Sequence, residues 1–80
     1  MGKNDYPNRW QEEIADIAMN LVEEGKTMTF EALAEELDHQ PRLMARRVGS
    51  AHSVMWKNGR YQEAEAIAKA FTDKRGRYSY

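Results

Sequence analysis

From Trp10 onward apolar side chains return at helical intervals, with Trp10, Ile14, Ile17, Ala18, Leu21 and Val22 falling on one broad stripe. Asn8 stands ahead of the stripe with Gln11 three residues on, the spacing of a capping box, and Gly25 follows it as a natural stop. This predicts a first helix between Asn8 and Gly25. Lys26-Thr27-Met28 tolerates an extended backbone and suits a short strand. Thr29 reads as the cap of a second helix of about nine residues, with Glu31 in its first turn and Phe30, Leu33, Ala34 and Leu37 on one face. Asp38-His39-Gln40 breaks it, and Pro41 suits the first turn of a third helix that runs to about Lys57. Asn58-Gly59 then reads as a C-terminal cap. The same pair could make a hairpin turn, but Met44, Val48, Ala51 and Met55 hold the helical period up to it. A fourth helix is expected from Tyr61 to Phe71, with Ala64, Ile67, Ala68 and Phe71 inward. The remaining residues, 72–80, contain a turn signal at Gly76 and alternating tyrosines. They suit either a C-terminal β wing or one strand pairing with residues 26–28. The expected fold is mainly α: about four helices and a short strand, with a helix-turn-helix of winged type at its centre.

Length makes this one domain, residues 1–80. At 41% hydrophobic and 31% charged residues the chain is apolar enough to fold. A domain of this size has a stability of roughly 4–12 kcal/mol and little room for a deep enclosed pocket. An enzyme with its own cofactor site is therefore not expected, and no cofactor is assigned. With no cysteine, the chain has no disulfide, thiolate zinc site or thiol nucleophile. No run approaches the ~18 apolar residues of a membrane span, and the polar start, Met1-Gly2-Lys3-Asn4-Asp5, lacks the apolar stretch of a secretory signal. The expected address is the cytoplasm, with no membrane partner.

The net charge of −1 conceals a division. Residues 1–40 carry three cationic and ten anionic side chains, whereas residues 41–80 carry nine and three. Such asymmetry fits a surface facing a polyanion, or two halves that neutralise each other within the fold. The third helix sharpens the choice. At 100° per residue, Met44, Val48, Ala51 and Met55 lie within about 40° of one line, and Arg42, Arg46, Gly49, Ser53 and Lys57 cluster about 140–220° away. Ser50 sits at the edge of that second face, which contains no acid. A merely solvated face usually mixes signs to gain i,i+4 pairs. Gly49 costs about 1 kcal/mol relative to alanine inside a helix, which close approach of a partner would explain. Arginine can bridge a guanine edge or clamp a phosphate, and serine can bond to either.

A short helix, a tight turn and a second helix with a basic outer face describe a helix-turn-helix. Within it, Gly25-Lys26-Thr27-Met28-Thr29-Phe30-Glu31-Ala32-Leu33-Ala34 and Pro41-Arg42-Leu43-Met44-Ala45-Arg46-Arg47-Val48-Gly49-Ser50-Ala51 resemble the winged helix-turn-helix of the O6-alkylguanine-DNA alkyltransferases and alkyltransferase-like proteins. In that family a Thr/Ser-Tyr-x-x-Leu/Ile-Ala helix precedes a proline-led helix carrying Ala-Arg-x-Val-Gly. The resemblance, over about a third of the chain, implies DNA binding, with Arg46 in the place of the arginine that enters the base stack. Phe30 stands where the family has tyrosine, and the active-site segment with its alkyl-accepting cysteine is missing. Alkyl transfer is therefore not implied.

The expected function is a small non-enzymatic protein that binds duplex DNA, with the third helix in the major groove. Arg42, Arg46, Ser50 and Ser53 would face the bases. Arg47, Lys57 and the tail cations Lys74, Arg75 and Arg77 would hold phosphates. Tyr78 and Tyr80 among those cations suit stacking on bases, or belong to a frayed terminus. The alternative is a protein-interaction module, or a homodimer that pairs the acidic half of one copy with the basic half of another. Gly25-Lys26-Thr27 imitates the end of a phosphate-binding loop, but Asn20 occupies the place of its required glycine. His39 and His52 have no third ligand of suitable spacing, so no metal is expected. Met19, Met44 and Met55 read as core fillers, and Trp56 with Tyr61 as a cover at the base of the core.

Overall fold

In the computed structural model, which describes residues 6–72, the capping box at the start of the first helix forms as its sequence requires. Asn8 Oδ1 accepts the Gln11 backbone N–H at 3.0 Å, and Gln11 Oε1 accepts that of Asn8 at 2.8 Å. Helix α1, Arg9–Glu24, runs from this cap to Gly25, whose φ of 70° closes it in the left-handed region. Strand β1, Met28–Thr29, leads directly into α2, Phe30–Leu37, where Thr29 Oγ1 accepts the Ala32 N–H at 3.1 Å. Asp38 ends α2 in the left-handed conformation at φ 60°, and the His39 N–H reaches back to the Ala34 carbonyl at 2.9 Å. Pro41–Leu43 form one 3-10 turn, after which α3 extends over Met44–Lys57. The third helical segment thus begins at Pro41 as expected, but its first three residues are wound more tightly. Asn58 and Gly59 cap α3, excluding the hairpin alternative, and α4 follows over Tyr61–Ala70. The fold is mainly α, with four helices and a short two-stranded sheet.

That sheet corrects the expected end of α4. Phe71 leaves the helix with φ −116° and ψ 137° and opens strand β2, Phe71–Thr72. It lies parallel to β1, with Met28 opposite Phe71 and Thr29 opposite Thr72. The helical period had room for Phe71, but the extended conformation gives its backbone a partner while its ring stays 1% exposed in the core. A C-terminal strand thus forms one residue earlier in the chain than expected, and it pairs with Met28–Thr29 rather than with residues 26–28. The wing option for the rest of the tail lies outside the described residues.

Small side chains let the helices pack closely. Ala15 and Ala18 of α1, Ala51 of α3, and Ala64 and Ala70 of α4 are fully buried around Ile14, Leu33, Met44, Val48, Met55 and Ile67. Trp10, Ile17, Leu21, Phe30 and Leu37 are half-buried at the margin of this core. Val22 and Met19 depart from expectation, since both are exposed and line a groove between α1 and α4. The apolar stripe of α1 is wider than its neighbours can cover.

Candidate nucleic-acid interface

Helix α3 meets the rest of the molecule through Met44, Val48, Ala51, Val54 and Met55, all buried. This fixes the opposite side as its outer face. Arg46, Ser53 and Lys57 are exposed there, Arg42 is exposed on the 3-10 turn that leads into α3, and Gly49 is half-buried rather than open. Among the described residues, no carboxylate lies within ion-pairing distance of Arg42, Arg46 or Lys57. Glu13, Asp16 and Glu36 line a hollow between α1 and α2 with Ile17 and Leu37.

Two further predicted contacts sit at one edge of the ridge and are already engaged with α1. Ser50 Oγ accepts a hydrogen bond from Gln11 Nε2 at 2.9 Å. The Arg47 guanidinium lies over the Trp10 ring, 5.7 Å from its centroid, within cation–π range. Trp10 in turn meets His39 edge-on, with centroids 6.1 Å apart, and His39 Nδ1 is buried without a hydrogen-bond partner among the described residues. Lys74, Arg75 and Arg77 lie outside the described residues.

The other edge of the ridge is aromatic. His52, Ser53, Trp56 and Lys57 line a shallow hollow of about 290 Å³. Trp56 is 53% exposed and Tyr61 55% exposed, so the two do not cover the core as expected. Their rings meet edge-on with centroids 4.7 Å apart, and the His52 ring lies 18° from parallel to Trp56 at 6.3 Å. The helical wheel carries part of this signal: Trp56 falls about 120° from Met44, whereas His52, about 80° from it, borders the buried stripe and is half-buried.

Arg60 shows that the charge division between the two halves is partly settled inside the fold. Its guanidinium forks onto Glu12, at 2.7 and 2.8 Å, and onto Glu63, at 2.7 and 2.6 Å. The hydrogen bond from Arg60 holds the Glu12 carboxyl below its ordinary range against an opposing push from burial, and the same bonds raise the Arg60 pKa. In the sequence Arg60 belongs to the basic half, and packing alone brings Glu12 beside it. No group of three histidine, aspartate or glutamate side chains among the described residues is placed to hold a metal ion. No helix among them is long and apolar enough to cross a membrane. Compared with protein-family models, curated proteins and solved structures, the chain gives no significant match.

Proposed function

We propose that the protein binds duplex nucleic acid, DNA before RNA, through the outer face of α3, acting as a binding module rather than an enzyme. One observation carries the reading. Arg46, Ser53 and Lys57 are exposed on one side of α3 and Arg42 on the turn that leads into it, the three cations without a described carboxylate partner, in a molecule that pairs Arg60 twice over. Leaving three like charges unpaired along this segment gives up i,i+4 stabilisation and stores repulsion, which a polyanion relieves. Helix α2, the turn through Asp38 and the segment from Pro41 form the two-helix unit that presents such a face to a major groove. The resemblance to the alkyltransferase DNA-binding domain points the same way and gives Arg46 the most intimate role.

The test is binding of a random-sequence duplex at increasing salt. Affinity should fall with a log–log slope of about −0.9 for each phosphate neutralised, and amide shifts in a titration should follow Arg42 to Lys57. Salt-insensitive binding, or none at low salt, overturns the proposal. The second reading, a homodimer joining the acidic hollow of one copy to the ridge of another, is favoured by the separation of the two charged surfaces. It predicts self-association in sedimentation that dissolves as salt rises, with no need of nucleic acid.

A further inference from the structure

Leaving an indole half in water forgoes part of the free energy that burying a large apolar side chain contributes. Trp56 does so beside the cationic ridge and with its ring held in place. The Asn58-Gly59 turn, with Gly59 at φ 75°, reverses the chain so that Gly59 N–H bonds to the Trp56 carbonyl at 3.1 Å and Arg60 N–H to that of Met55 at 2.9 Å. Tyr61, the first residue of α4, is thereby brought edge-on against the indole. A buttressed ring loses little rotamer freedom when something stacks on it.

The surroundings select the occupant. A quaternary ammonium needs several aromatic walls spread around it, but Trp56 and Tyr61 touch each other, and Lys57 lines the same hollow with like charge. An apolar partner helix would strip water from the Lys57 ammonium and the Ser53 hydroxyl without replacing it. A nucleobase has a flat face for the indole, and its attached phosphate suits Lys57, which lines the same hollow. A base can stack there only when it is out of the paired helix.

We propose that Trp56, backed by Tyr61 and flanked by His52 and Lys57, is a stacking platform for an unpaired nucleobase. The preferred ligand is then a duplex with a single-stranded end or step rather than a continuous duplex. This rests on the reading of α3 as the nucleic-acid face and names the structure that face selects.

The experiment measures affinity for a blunt duplex and for the same duplex with a short single-stranded tail. Wild type should favour the tailed form. Trp56→Ala should weaken tailed binding about tenfold, within the range of base–aromatic stacking, and leave blunt binding unchanged. Trp56→Phe should keep most of the preference, and circular dichroism melts should show both variants folded. In a Trp10→Phe background, indole fluorescence should be quenched by tailed and not by blunt DNA. Equal affinity for the two forms with salt dependence intact overturns the platform and leaves the α3 reading standing. So does a Trp56→Ala variant that weakens both forms alike or neither, or that alters only self-association. Binding of neither DNA by wild type at low salt overturns the α3 reading and the platform together. Tail binding lost with Trp56 but without any duplex affinity supports the platform and overturns the duplex reading.

Discussion

Gln11 Nε2 donates to Ser50 Oγ at 2.9 Å while Oε1 of the same amide accepts the Asn8 N–H, so a single side chain closes the cap of α1 and ties it to α3. Gln11 is only 8% exposed, so its amide depends on these protein partners. Gln11→Ala should therefore cost about 2 kcal/mol, combining half a capping box with the inter-helix bond, and Ser50→Ala about 1 kcal/mol. Urea unfolding should show both as a lower midpoint at unchanged slope. Ser50 Oγ accepts from Gln11, but the residue is exposed and its O–H is left to donate to a phosphate or base edge, so Ser50→Ala should also weaken DNA binding a few-fold or so at matched folded fraction. Unchanged affinity at matched folded fraction would take Ser50 off the binding surface.

The fork from Arg60 to Glu12 and Glu63 joins α1 to the start of α4. The side chains of Arg60 and Glu12 are about a third or more exposed, so screening limits the contribution, and Glu12→Gln should destabilise by about 1 kcal/mol at neutral pH. The sign of its pH dependence follows from the depressed Glu12 carboxyl. Folding holds that group charged below the range in which the unfolded chain takes up its proton. Its contribution is therefore fully present above the ordinary carboxylate range and fades as pH falls through the folded value. The stability gap between wild type and Glu12→Gln, followed by urea unfolding, should be widest near neutrality and narrow on acidification. A gap that widens in acid would contradict the assignment.

What could be read from sequence was mostly local. The capping bonds of Asn8, Gln11, Gly25 and Thr29 lie within four residues, so the caps are legible, as is the buried stripe of α3 from Met44 to Met55, whereas the bond from Gln11 to Ser50 is not. Phe71 was not. An apolar residue at the end of a helical period satisfies helix and strand equally, and only Met28, distant in the chain, decides between them. Charge counting placed Arg60 in a basic half but could not show that Glu12 would arrive beside it. Hydrophobicity alone put Met19, Val22, Trp56 and Tyr61 inward, because it does not reveal how much of a stripe the neighbouring helices can cover. Of the expected ridge, the exposure of Arg42, Arg46, Ser53 and Lys57 followed from the wheel, whereas the engagement of Arg47 and Ser50 with α1 required the packing.

Phe71 joins the sheet to the core, since its backbone pairs with Met28 and its ring is among the largest side chains fully buried. Phe71→Ala should cost about 3–5 kcal/mol through lost burial and the cavity left behind. Against a total of roughly 4–12 kcal/mol for a domain of this size, much of the population should then unfold or melt near ambient temperature. Phe71→Leu refills most of the space and should cost no more than about 1.5 kcal/mol. Thermal melts by circular dichroism order the three proteins. Equal melting of Phe71→Ala and wild type would show that the residue lies outside the core.

Removing one positive charge at a time separates the α3 face from net charge as the source of binding. Arg46→Ala and Lys57→Ala each delete a cation from the ridge, while Lys69→Ala deletes one from the exposed groove between α1 and α4. If Lys57 holds a phosphate, its loss should weaken all sequences alike and flatten the salt slope by about 0.9. If Arg46 reads a base edge or enters the stack, its loss should cost about 1–3 kcal/mol of discrimination between sequences or structures while changing the slope little. Lys69→Ala should leave both quantities near wild type, since it stands away from the ridge. Fluorescence anisotropy at several salt concentrations gives Kd and slope together. Identical losses from all three variants would mean that charge, and not this face of α3, governs the interaction.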